Sequence, residues 1–437
     1  MDEPKRRALG LPVIGLLLSG GAEVWLAHRT TGPDGILERR YGLLGLIGLW
    51  TLAYGVAVLC ALRLPRRYAV GLVLLIAVVL RLAAIAPKAP LSDDLYRYAW
   101  DGVVQTEGID PYRYAPADRT LVRLREGWLW PPGYVRVNGS DTRINRPAVR
   151  TIYPPVAEGW FFLEHQIVPL SAQDRGYESV GLLLDLAVLG VLLALLRDRR
   201  WIALYALAPL PVLEVVQNAH VDGLAVLLTL GALVLSERRR PTAAVAVLAL
   251  ATLTKVYPAL LLPLLLRDRG KRVQGTAVFA AVCVTSYLPH LLAVGTRIVG
   301  YLPGYLQEED YSTGTRYLLL GLVGLRGAVA TGAAVLLLAG IGIWALRTTL
   351  PLRAAAVRLM AATLLVVTPV QPWYAVLLLA LATLSRAWAV VPLTVAAYPV
   401  YFGAVLDGPY EVYGRISYAV AAVAVVAGYR LRSNRSA

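Results

Sequence analysis

The feature that most limits what this chain can become is a series of apolar windows, each about as long as a bilayer is thick, repeated from one end to the other. A straight transmembrane helix needs about 20 predominantly apolar residues. Residues 9–27, 41–62 and 68–86 approach or reach that length early in the chain. Hydrophobic residues make up 57% of the 437 and charged residues only 16%, which excludes the two or three soluble domains such a length would allow. The expected fold is an all-α polytopic membrane protein, a single integral membrane domain over residues 1–437. The two cysteines, Cys60 and Cys283, fall inside apolar segments and carry neither a disulfide framework nor metal-ligand spacing.

The net charge of +15 would suggest nucleic acid as the partner of a soluble protein. Here the basic residues cluster between apolar segments, so they read as topology signals, with membrane lipids as surroundings and no nucleic acid partner. Lys5, Arg6 and Arg7 precede the first window, and Arg63, Arg66 and Arg67 link the second to the third. Further clusters stand at 197–200, 238–240, 267–272, 347–353 and 430–435. All return to one side of the membrane if 201–236, 241–266 and 354–385 are each paired spans, which gives about 12 to 14 transmembrane helices with both termini inside. Members of these pairs such as 241–254 and 255–266 are short for a straight span, and broken helices around a cavity are the other reading.

On this count residues 87–177 form a large extracytoplasmic loop. Its sequence suggests short helices at 95–105, 121–127 and 156–167, and turns at Asp110-Pro111, Pro131-Pro132-Gly133 and Asn138-Gly139. Near its start two adjacent acids, Asp93 and Asp94, follow a span directly. Acids after a Ser suit a helix start, and that plain explanation weighs evenly against a functional one. Other ionisable groups are expected at the same level: His220 and Asp222 in the turn QNAHVDGL, and Lys255 between two short apolar halves. Charges at membrane depth are costly and mostly functional. The structural alternatives are a hydrogen-bonded His220–Asp222 turn, and snorkelling for Lys255 and Arg81. Glu23, Asp185 and Glu214 are expected to pair within the bundle and are given no role. If the ionisable groups converge, Lys255, His220 or a loop arginine supplies the cation an anionic lipid-borne substrate needs. A carboxylate then serves as base toward an acceptor hydroxyl.

At this point the chain resembles a known family, the multispanning class C glycosyltransferases, and within it bacterial α-mannosyltransferases that use polyprenyl-phosphate mannose. The likeness rests on SDDLYRYAWDG at 92–102, GIDPYRYAP at 108–116 and NRPAVRTIYPPVAE at 145–158. It continues through NAHVDGL at 218–224, TKVYPALLLP at 254–263 and TPVQPWYAVLLLAL at 368–381. The resemblance implies transfer with inversion, from a polyprenyl-phosphate sugar donor to a glycolipid or glycan acceptor. The family's catalytic Asp corresponds best to Asp94, while the doubled acid keeps Asp93 as the other candidate. Lys255 and His220 are implied donor-phosphate or sugar contacts, and Asp222, Arg97, Tyr96, Tyr153, Gln371, Trp373 and Tyr374 complete the expected substrate-binding set. Some relatives need a divalent metal, for which no ligand cluster beyond the Asp pair is visible. A lipid or sugar-lipid transporter without chemistry is the competing class; it leaves the Asp pair and the aromatic-rich loop unexplained.

Overall fold

The computed structural model describes residues 3–32, 39–85, 91–134, 141–311, 313–405 and 408–434; the expected Asn138-Gly139 turn lies outside them. Among the described residues there are helices and no strands. The first three are α1 (Glu3–Thr31), α2 (Arg40–Arg63) and α3 (Arg66–Ile85), matching the three early windows. On α2 the buried residues Leu43, Ile47, Trp50, Tyr54, Ala57, Val58 and Ala61 recur at helical spacing and form one inward stripe. Leu49, Leu52, Val56 and Leu59 stay exposed on the opposite side, the pattern of a helix that faces protein on one side and lipid on the other. These helices make this a multi-pass membrane protein.

Two short helices, α4 (Asp94–Thr106) and α5 (Pro155–Ile167), lie in the polar segment, followed by α6 (Gln173–Leu195). The α4 and α5 pieces match the sequence expectation, and residues 119–124 form a 3-10 turn where a third piece was expected. α4 and α5 pack closely because position 102 is glycine. A Cβ there would stand 2.6 Å from the Phe161 carbonyl oxygen.

The remaining helices of nine residues or more are α7 (Asp222–Glu237), α8 (Pro241–Thr252), α9 (Arg272–Val294), α10 (Gly327–Arg347), α11 (Leu352–Val367), α12 (Ala375–Ser385), α13 (Ala397–Val405) and α14 (Tyr410–Asn434). Here the structure departs from the expected count. By length and composition eight helices among the described residues can cross a membrane, or nine if a pair bent by 115° is one span. The stretches expected as paired spans are broken instead. Pro209–Gln217 meets α7 at that bend. α8 stops before Lys255 and gives way to a 3-10 turn, Tyr257–Leu261, that begins at a Tyr-Pro step. α11 ends at Thr368, which takes φ +43 and precedes Pro369. Proline removes a donor and clashes with the preceding turn, so apolar sequence continues where helix cannot. α12, apolar all round, is buried from Ala375 to Leu384 and forms the centre of the bundle.

The arginine-rich links gather at one end. Arg200 donates to the carbonyls of Leu62 and Leu64, Arg353 pairs with Glu237 and donates to Leu195, and Arg267 donates to Ala345 and Leu350. A continuous basic belt results. Arg81, for which snorkelling was one reading, is instead fully buried. It ion-pairs with Asp185 and donates to the carbonyls of Ala77 and Ala206.

Candidate functional site

The start of α4, the segment leading into α5, the broken stretch after α8, and parts of α10 and α11 line a cavity of about 1370 Å³. Typical small-molecule pockets hold about 300–1,000 Å³. Asp94 stands in the first turn of α4, where the helix dipole favours a carboxylate. Ser92 Oγ accepts from its backbone N–H at 3.3 Å. The Asp94 carboxylate accepts from Asn145 Nδ2 at 2.5 Å and from the Tyr153 hydroxyl at 3.2 Å. Both donors come from the segment leading into α5, which crosses over the start of α4. Burial, with the Asp94 charge next, pushes the Tyr153 hydroxyl well above its usual range, so it stays protonated and donates.

Tyr153 also ties the acid to the cation. Lys255 Nζ lies 5.0 Å from the centroid of the Tyr153 ring and 3.2 Å from Asp222 Oδ2. An ammonium over an aromatic face gains electrostatic attraction, and the break after α8 is what brings it there. Asp94, Asp93, Lys255 and Tyr153 thus line one cavity, with Gln371, Trp373 and Tyr374 on another wall. Gln371 Nε2 donates to Glu309 at 2.6 Å, Glu309 ion-pairs with Arg316, and the Tyr305 and Tyr374 hydroxyls are 3.3 Å apart.

Other expected residues stand differently. Arg97 reaches the wall, but its guanidinium bridges Asp101 at 3.0 Å and the Val149 carbonyl. Asp222 is buried behind Lys255. His220, also fully buried, sits behind Asp94 under the ring of Trp373, 4.1 Å between centroids. Tyr96 points away from the cavity. It is buried in the platform's own core against Trp128, ring centroids 6.0 Å apart, because it falls on the face of α4 opposite Asp94, Arg97 and Asp101.

Sequence reasoning missed Asn145, which lay inside a quoted motif with nothing to connect it to Asp94, and it gave Glu214 no role. It also missed the layer beneath α4. There Glu158 accepts from the Thr151 hydroxyl at 2.6 Å and from Gln105 at 3.2 Å, next to the Arg97–Asp101 pair. Burial raises Asp101 and, with the neighbouring Asp101 charge, raises Glu158 well above the usual carboxylate range. Two of these acids packed together favour holding a proton between them.

Four of the cavity's cations meet a carboxylate: Lys255 with Asp222, Arg97 with Asp101, Arg146 with Glu308 and Arg316 with Glu309. Arg150 also lines the cavity and donates from Nε to the Arg113 carbonyl. Among the described residues no three His, Cys, Asp or Glu side chains gather in a group that could hold a metal ion. Three non-glycine residues bordering the site take left-handed backbone: Arg146 (φ 43), Ala219 (φ 51) and Asp310 (φ 57). Strain of this kind persists where surrounding packing enforces it, often at functional sites.

A protein-family model, Glycosyltransferase family 87, matches residues 152–370, half of the chain. No curated protein and no solved structure matches it.

Proposed function

The chain belongs to Glycosyltransferase family 87, and on that premise we propose that it transfers a hexose from a polyprenyl-phosphate carrier to a glycolipid or glycan acceptor. The resemblance of its motifs favours mannose. The basic belt favours a cavity facing the outer side of the cytoplasmic membrane, since arginine-rich links stay inside. A lipid-linked donor then follows, because nucleotide sugars are cytoplasmic.

The observation that carries this reading is the sharing of Tyr153 by a carboxylate and an ammonium. Its hydroxyl touches Asp94 and its face meets Lys255. In the proposed step Asp94 takes the proton of the acceptor hydroxyl, and that oxygen attacks the anomeric carbon of the sugar. The bond from that carbon to the phosphate oxygen breaks, and the lipid phosphate leaves toward Lys255. One displacement inverts the configuration. Asn145 and Tyr153 hold the carboxylate oriented, and Asp222 fixes the ammonium. A cavity whose cations are mostly paired suits a phosphate diester with a single charge. Ile298, Val299, Leu302 and Leu306 together with Leu338 and Ile341 provide an apolar wall for the carrier.

The test is reconstitution in vesicles with polyprenyl-phosphate [14C]mannose and membrane glycolipids as acceptors. Wild type is expected to form a labelled glycolipid. D94N is expected to bind donor nearly as well and to lose about 10²–10⁴-fold in turnover. Donor carried across the bilayer with no new glycosidic product would favour a transporter instead.

A further inference from the structure

Behind Asp94 the chain has built a second proton-accepting pair that the displacement step does not use. His220 Nε2 lies 2.9 Å from Ser92 Oγ and 3.8 Å from Asp94 Oδ2. Its Nδ1 faces Glu214 Oε2 at 3.2 Å. Glu214 is itself fixed, accepting from Asn218 Nδ2 at 3.1 Å and from the Tyr398 hydroxyl at 2.8 Å. Nδ1 makes no aligned hydrogen bond to this carboxylate, but the negative charge 3.2 Å away favours a proton on Nδ1, which leaves Nε2 as acceptor. His220 is fully buried and does not line the cavity, so a donor phosphate does not reach it.

The backbone is distorted to achieve this placement. Val212–Gln217, which carries Glu214, is a π turn, a form that recurs at functional sites. Ala219, immediately before His220, takes φ 51. The turn is pressed against α6 so closely that a Cβ at Gly181 would stand 2.2 Å from the Val215 carbonyl oxygen. The charged groups that face His220 are Asp94 from α4 and Glu214 from the π turn. Ser92 and Trp373 are neutral, and the nearby Asp222 is committed to Lys255.

We propose that His220, oriented by Glu214, takes from Asp94 the proton that Asp94 removes from the acceptor, and so restores the carboxylate before the next turnover. The proton passes from the Asp94 carboxyl to His220 Nε2 when the 3.8 Å gap between them closes to hydrogen-bond length, the Asp94 O–H bond breaking as the imidazole N–H bond forms. The resulting imidazolium sits between two carboxylates until product leaves, water reaches Asp94 in the cavity, and the proton returns through that carboxylate to solvent. His220 is on this assignment a positioning and proton-holding residue, where the sequence alone suggested a donor contact. The inference rests on the transferase reading above.

The experiment is steady-state kinetics of H220Q and E214Q in the vesicle assay, with thermal midpoints measured alongside. Glutamine keeps hydrogen-bonding capacity at 220 but accepts no proton. H220Q is expected to lower kcat about 10²-fold while donor KM changes less than about twofold, with a larger solvent deuterium isotope effect on kcat. E214Q leaves the imidazole in place and removes the charge that favours its protonated form. Its kcat is expected to fall, with the acid limb of its pH profile displaced to lower pH; a merely structural role would leave that limb in place. Because this readout uses an intact His220, it stands even if H220Q misfolds. An H220Q enzyme with normal kcat, or with intact kcat and a donor KM raised tenfold or more, would overturn the proposal. Absence of transfer by wild type would instead remove the transferase reading itself.

Discussion

Asp94 is held from two sides by donors supplied 51 and 59 residues later in the chain. Removing one hydrogen bond to a charged group costs about 1.5–3 kcal/mol. Y153F is therefore expected to lower kcat about 10- to 150-fold through misorientation of the carboxylate, and the vesicle assay measures it. The Arg81–Asp185 pair has no part in that chemistry but is fully buried. Deleting one member strands a charge, at a cost of about 3–5 kcal/mol. R81A should thus lower the thermal midpoint in detergent markedly, and replacing both members by apolar residues of similar size should recover much of the loss. The acids at 93 and 94 were legible in the sequence because charge beside a span is conspicuous. Asn145 and Glu214 were not, because an amide and one more buried acid signal nothing until the fold brings them to Asp94 and His220.

At the scale of the element, α5 carries the clearest pH dependence. Burial raises Glu164 to about 8, with the Trp160 side chain partly offsetting it. A carboxyl whose folded value lies above its unfolded one adds stability that is fully present at low pH and lost as pH rises through that value. The platform should therefore weaken progressively from about pH 4.5 to about pH 8 and level off above, and E164Q should flatten that part of the thermal-midpoint profile. The α4–α5 contact makes a second prediction. G102V forces a branched side chain onto the Phe161 carbonyl, and should separate the helices and abolish transfer while the spans still insert. Straight helices such as α2 and α3 were legible from hydropathy alone. The broken ones were legible only as the alternative to paired spans, because the polar steps at Gln217–Asp222 and Thr254–Lys255 suit a turn between two spans as well as a break within one. Apolar content records depth in the membrane, whereas the prolines at 209, 211, 258 and 263 decide whether the helix continues.

For the whole molecule the basic belt sits where α3 begins, and Asp94 follows the other end of that helix in the chain. If the belt is cytoplasmic, a cysteine introduced at Arg123 on the platform should react with an impermeant maleimide in intact cells, and one at Arg199 only after lysis. The reverse pattern would invert the proposed orientation. α9 contributes Tyr287 to the cavity lining. Along its length only Gly275 is buried. It is anchored near its start by the close approach of Gly275 to Leu266, and near its end by His290 to Asp110 at 2.8 Å and Arg113 to the Ala293 carbonyl.

The pairing of Lys255, Arg97, Arg146 and Arg316 with carboxylates has a consequence for life in a crowded leaflet. Anionic phospholipids vastly outnumber any sugar carrier, and a wall of bare cations would be silted up by them. A wall already balanced attracts no such traffic. Only a headgroup whose shape rewards it for displacing an internal partner gains entry, so enriching the vesicles in phosphatidylglycerol should leave the donor KM almost unmoved.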